Sequence, residues 1–88
     1  MERIWVAELV IPWRIAEKVR RHGLDPFHIE QAVACVRGLA ARLDADPERG
    51  LRYIVPVVIG TRGVLVVLYR ISESDPDRYR LGSAYLDE

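Results

Sequence analysis

The spacing of hydrophobic positions changes along the chain, and each change predicts an element. Between Arg3 and Ile11 the β-favouring residues Ile4, Trp5, Val6, Leu9 and Val10 are dense, which predicts a first strand. Pro12 then suits the first turn of a helix. From Trp13 the spacing becomes helical: Ile15 and Val19 stand at i and i+4, with Trp13 and Ala16 completing an apolar side. Arg20, Arg21 and His22 crowd the last turn, where a helix dipole favours positive charge. Gly23 follows where a left-handed residue is needed, and the His22 side chain reads as a cap on the last-turn carbonyls.

A second helix has a clear start, with Asp25 as N-cap, Pro26 at the first helical position and Leu24 and Ile29 placed for a hydrophobic staple. The series Ile29, Val33, Val36, Ala40, Leu43 keeps one face apolar and predicts a helix extending to Leu43, followed by a polar loop from Asp44 to Gly50. Leu51 to Ile59 reads as a strand. Pro56 cannot donate to a ladder, so that strand is expected at an edge or with a bulge. Gly60-Thr61-Arg62-Gly63 is a hairpin turn, and Val64 to Ile71 is apolar on both faces, as in a central strand. After a loop from Ser72 to Asp77, Arg78 to Leu86 alternates: Tyr79, Leu81, Ser83 and Tyr85 against Arg78, Arg80, Gly82 and Ala84. The expected architecture is α+β, ordered β-α-α-β-β-β. Two N-terminal helices pack on one face of a mainly antiparallel four-stranded sheet.

The chain has 88 residues, which suits one domain spanning 1–88. No apolar run approaches the roughly 18–20 residues that cross a bilayer, so no membrane partner is expected. Cys35 is the only cysteine and has no internal disulfide partner, which suggests a reducing, cytoplasmic setting. Beside Val33 and Val36 it reads as a packed side chain rather than a nucleophile. His22, His28 and Cys35 do not assemble a metal-ligand pattern, no phosphate-binding glycine loop is present, and no cofactor is expected. The 13 basic and 13 acidic side chains cancel, which disfavours general nucleic-acid binding but allows a local patch.

Several features together resemble the BrnT-like toxins of the RelE/ParE superfamily. They are Trp13 at the opening of the first helix, Lys18-Val-Arg-Arg-His22-Gly23-Leu24 at its close, and Glu30-Gln31-Ala32 in the next helix. The Gly60-Thr-Arg-Gly63 hairpin then leads into Val64-Leu-Val-Val-Leu68. The chain departs from that pattern in its zero net charge and in ending Asp87-Glu88, where such toxins continue into a basic helix. The resemblance implies a metal-independent endoribonuclease held inactive by a cognate antitoxin. The alternative is a catalytically inactive interaction module on the same scaffold, pairing with other proteins or with itself.

RNA cleavage without metal needs a group to take or orient the 2′-hydroxyl proton, cations for the developing phosphorane charge, and an acid for the leaving oxygen. In the resembling family such groups lie on the concave face of the sheet. The corresponding catalytic candidates are Arg70, Arg80, Arg52 and Tyr85, with Arg78, Arg62 and Tyr69 as RNA-binding candidates. Arg70 and Arg80 are expected to be close if their strands form a hairpin around Asp75-Pro76, sharing a face in one of the two possible registers.

Overall fold

The computed structural model describes residues 1–87; Glu88 lies outside the described residues. The chain runs β1 (Glu2–Ile4), β2 (Glu8–Val10), α1 (Trp13–Arg21), α2 (Pro26–Val33), β3 (Leu39–Asp46), β4 (Gly50–Ile59), β5 (Arg62–Ser72) and β6 (Asp75–Leu86). The fold is α+β, but the expected four-stranded sheet is a six-stranded mixed one in the order β1-β3-β4-β5-β6-β2. The pairs are antiparallel except β2 with β6, which is parallel.

Two differences account for the added strands. The single strand expected over residues 3–11 is divided between opposite edges of the sheet: β1 pairs with β3, and β2 pairs with β6. Only Trp5, Val6 and Ala7 connect them. Four residue steps span at most about 14 Å, whereas the edges of a flat six-stranded sheet stand about 24 Å apart. The sheet must therefore curl until its edges approach. The crossing is fixed by the buried Val6 side chain, by Ala7 N–H donating to Asp77 O at 2.8 Å and by Cys35 N–H donating to Val6 O at 2.8 Å.

The second helix stops at Val33 instead of Leu43, and the loop expected over residues 44–50 is largely strand. Ala34 adopts an extended backbone, and Cys35 and Gly38 have positive φ angles of 58° and 69°, which turn the chain out of the helix. The following residues, Leu39 to Asp46, fill the space between β1 and β4. Tertiary pairing here overrides the helix propensity of Leu-Ala-Ala-Arg-Leu. The start of α2 is as expected, with Asp25 Oδ1 accepting from Phe27 N–H at 2.8 Å and Pro26 in the first turn.

One face of the sheet carries Val55, Val64, Val66, Leu68, Tyr79, Leu81 and Ala84, all buried with Val6, Val19, Leu24, Ile29 and Val33 in one hydrophobic core. Helix α1 packs on β6 and α2 on β4. Gly23, at φ 79°, ends α1 as expected. His22 is the C-cap of α1 through its backbone N–H, but its side chain does not make the expected bond to the last-turn carbonyls. Its Nδ1 lies 3.0 Å from Ala84 O, and because a carbonyl only accepts, that nitrogen carries the proton and ties α1 to β6 beyond the reach of β2.

Strand β4 is internal, yet its pairing with β3 ends at Ile54, so Pro56 lies where the edge facing away from β5 is unpaired by β3. The β4–β5 register passes through Pro56 without a shift. The expected edge character is therefore local, and no bulge forms there. A bulge occurs instead in β6, where Val67 pairs with Ser83 but Leu68 with Leu81, leaving Gly82 as the extra residue. The Tyr69 ring lies across Gly82, so a Cβ there would stand 2.3 Å from Tyr69 Cε2. Gly82→Ala must displace that ring and is expected to cost about 1–3 kcal/mol, read as a lowered midpoint in urea unfolding. An unchanged midpoint would show that the ring is loosely held.

Candidate functional site

Antiparallel pairing places particular side chains side by side on each face of the sheet. Asp44 is paired with Arg52, and Tyr69 with Arg80. Since Tyr53 pairs with Leu68, Arg52 falls opposite Tyr69. Asp44, Arg52, Tyr69 and Arg80 thus form one row across four strands on the face away from the helices. Arg70 pairs with Tyr79 on the core face. Register therefore puts Arg70 and Arg80 on opposite faces.

They meet at the end of the sheet. The β3–β4 turn and the β5–β6 hairpin lie at the same end of this meander, around a hollow of about 280 Å³. Arg49, Leu51, Tyr53, Tyr69, Arg70 and Arg80 line it, together with Ile71, Ser72 and Glu73 at its rim. Because it opens past the strand ends, it receives side chains from both faces.

Four arginines on β4, β5 and β6 differ in what they can still bind. Arg52 donates through Nε to Asp44 Oδ2 at 2.7 Å and lies 3.9 Å from Asp46, so its charge is compensated. That hydrogen bond to Asp44 holds its pKa above the ordinary arginine value. Arg78 donates to Glu8 Oε1 at 2.9 Å, fastening β6 to β2. Arg70 donates through Nε to Pro76 O at 2.9 Å and through Nη2 to the Tyr79 hydroxyl at 2.8 Å. Its guanidinium also lies 5.0 Å from the Tyr53 ring centroid and 5.4 Å from that of Tyr79. Burial is the largest single influence and opposes the Arg70 charge, but the hydrogen bond to Tyr79 and the electrostatic contributions of Tyr79, Tyr53 and Asp77 together outweigh it, so its pKa lies above the ordinary arginine value. Arg80 stacks over Tyr69 at 4.8 Å and has no carboxylate or hydrogen-bond partner among the described residues. Its fork of donors faces the hollow unused.

The β3–β4 turn is preorganised. Asp46 Oδ1 accepts from Glu48 N–H at 2.9 Å and Arg49 N–H at 3.3 Å, and the Glu48 bond leads the causes that hold its pKa below the usual carboxylate value. Gly50, at φ 81°, closes the turn and leaves Arg49 beside the hollow.

Of the residues expected to act together, Arg70, Arg80 and Tyr69 share this site. Arg52 belongs to the adjoining row but is neutralised by aspartates, and Arg78 is tied to Glu8. Tyr85 pairs with Leu65, four residues along β5 from Tyr69, and so lies about 13 Å up the sheet. Arg62 opens β5 at the opposite end, about 26 Å from Arg70 along the strand. Arg49, Tyr53 and Glu73 were not anticipated. The signal for Arg49 is its turn, Asp-Pro-Glu-Arg-Gly, which a meander returns to the same end as the hairpin at Ser72 to Asp75.

Among the described residues no group of three or more His, Cys, Asp or Glu side chains is placed to hold a metal ion, and no helix is long and apolar enough to cross a membrane. Comparison of the chain with protein-family models, curated proteins and solved structures gave no match.

Tyr79 gives the site a signature in alkali. Its side chain is fully buried, and burial raises its pKa above the usual value, with the Arg70 bond opposing. The stabilisation from keeping Tyr79 neutral is complete below the unfolded tyrosine pKa of about 10 and is lost as pH rises through the higher folded value. An ultraviolet tyrosinate titration of the folded protein is expected to show a late transition that Tyr79→Phe removes. A late transition that persists in the variant would assign it to another tyrosine.

Proposed function

We propose that the protein is a toxin-type RNA-directed domain that holds a phosphodiester in the hollow of Arg49, Arg70 and Arg80 and cleaves RNA without a metal. A cognate antitoxin would keep it inactive in the cell. The observation that carries this reading is the uncompensated Arg80 guanidinium, braced on Tyr69 and facing a hollow with two further arginines. Arginine forks match phosphate oxygens, and a half-enclosed site strengthens the interaction relative to bulk water.

Arg80 and Arg49 hold the non-bridging oxygens in this mechanism. Arg70, fixed by Tyr79 and Pro76, presents its remaining donors to the developing phosphorane charge. The 2′-oxygen bonds to phosphorus as the bond to the 5′-oxygen breaks, giving a 2′,3′-cyclic phosphate. Glu73, the carboxylate at the rim, accepts the 2′-hydroxyl proton, and water protonates the departing oxygen.

A second reading, a non-catalytic interaction module, is favoured by one specific fact. Arg52, Arg70 and Arg78 are all engaged within the protein, and neither histidine lines the hollow. The two readings separate when purified protein is incubated with RNA in the presence of a chelator. Cleavage is expected from the natural sequence, and Arg80→Ala is expected to slow it about 10²–10³-fold while the thermal midpoint stays unchanged. Intact RNA after incubation with the natural protein would favour the module.

A further inference from the structure

Helix α1 follows the rules of helix stability at its end but breaks them at its start. Lys18, Arg20 and Arg21 in the last turn complement the dipole, whereas Arg14 lies in a first turn that contains no acidic residue and so opposes it. Arg14, Lys18 and Arg21 also stand at i, i+4 and i+7, a stripe of like charges that repel along one face. All three are exposed, and none makes an ion pair among the described residues. Glu17 is the only carboxylate of the helix and meets none of them within ion-pair distance. Four cations and one carboxylate give α1 a charge of +3 in a chain of net charge 0. The rest of the chain is therefore acidic, and the helix is a local cationic surface.

Trp13 opens the same helix and is 67% exposed. The Arg14 guanidinium lies 5.6 Å from its ring centroid, leaving an aromatic surface on solvent beside a cation. The helix starts three residues after Val10, which pairs with Arg80. That connection places the Trp13 backbone within about 16 Å of the Arg80 backbone. The His22 bond to Ala84 O holds the other end of α1 along β6.

We propose that α1 is a second contact surface for single-stranded nucleic acid. Arg14, Lys18 and Arg21 track the phosphate backbone, and Trp13 stacks on a base. The combination of a cationic track with an exposed aromatic is what an unpaired strand recognises, since its bases are free to stack. An acidic peptide would satisfy the cations but has no use for Trp13. The helix is separate from the hollow, so it can bind whether or not cleavage occurs there.

The test is fluorescence anisotropy of a labelled oligouridine with the full chain across a salt series. The variants are Arg14→Ala/Lys18→Ala/Arg21→Ala, Trp13→Ala and Arg80→Ala, with circular dichroism to confirm folding. The triple variant is expected to lose at least about tenfold in affinity at low salt, and to flatten the slope of log K against log salt by about two. Trp13→Ala is expected to weaken oligouridine binding by about fivefold or more while leaving binding of a polyglutamate peptide unchanged. Unaltered affinity and slope in the triple variant would overturn the proposal, as would polyglutamate binding as tight as oligouridine binding. If Arg80→Ala leaves RNA cleavage untouched while the triple variant weakens binding, the hollow reading fails and the helix surface stands; the opposite pair of results removes the helix surface alone.

Discussion

Trp5, Val6 and Ala7 carry the backbone from one edge of the sheet to the other, and the curvature of the molecule depends on that short crossing. The segment pairs with β3 before the crossing and with β6 after it, so two strands far apart in the sheet order are held by one stretch of chain. An edge strand normally leaves a row of unpaired backbone groups open to other chains. Here both edges are occupied by pieces of the same segment, and Val6 places an apolar side chain inside the curl at the point of crossing. The core is then completed by α1 on β6 and α2 on β4, with no buried side-chain nitrogen or oxygen left unpaired among the described residues.

The same closure positions the candidate site. Pairing with β2 and the Arg78–Glu8 bond fix the first part of β6, where Tyr79 and Arg80 lie. Alternation then divides their roles. Tyr79 turns into the core and orients Arg70, while Arg80 turns outward onto the Tyr69 ring. The bulge at Gly82 leaves room for that ring, so a residue without a side chain indirectly sets the support of the one guanidinium in this row that has no partner. Around the hollow, rigidity comes from neutral aromatic and backbone contacts as much as from charge. The arginines that do bind carboxylates, Arg52 and Arg78, act as fasteners between strands.

Much of the local structure was legible in the sequence because its signals are short-range. The Asp25-Pro26 start of α2, the Gly23 stop of α1, the Gly60–Gly63 turn and the three final strands follow from capping, conformational freedom and alternation. The region from residue 34 to 46 was misread because two periods coexist in it. Val36, Ala40 and Leu43 continue a helical stripe, while Leu39, Ala41, Leu43 and Ala45 alternate with Arg42, Asp44 and Asp46 as in a strand. The choice between them is made by vacant pairing positions on β1 and β4, which no local pattern records. The division of the first strand is equally non-local. Arg70 and Arg80 were recognised as neighbours, but a register set at the hairpin put them on opposite faces, and Arg49 entered the site through a turn whose position depends on the meander as a whole.

Backbone hydrogen exchange reads the central constraint most directly. Ala7 N–H bonds to Asp77 O and Cys35 N–H to Val6 O, and both bonds exist only when the N-terminal segment crosses the curled sheet. If that crossing is integral to the fold, these two amides exchange as slowly as those in the middle of β4 and β5, through global unfolding. Rapid exchange at Ala7 and Cys35 with β4 and β5 still protected would show a terminus that frays independently, and would contradict the account.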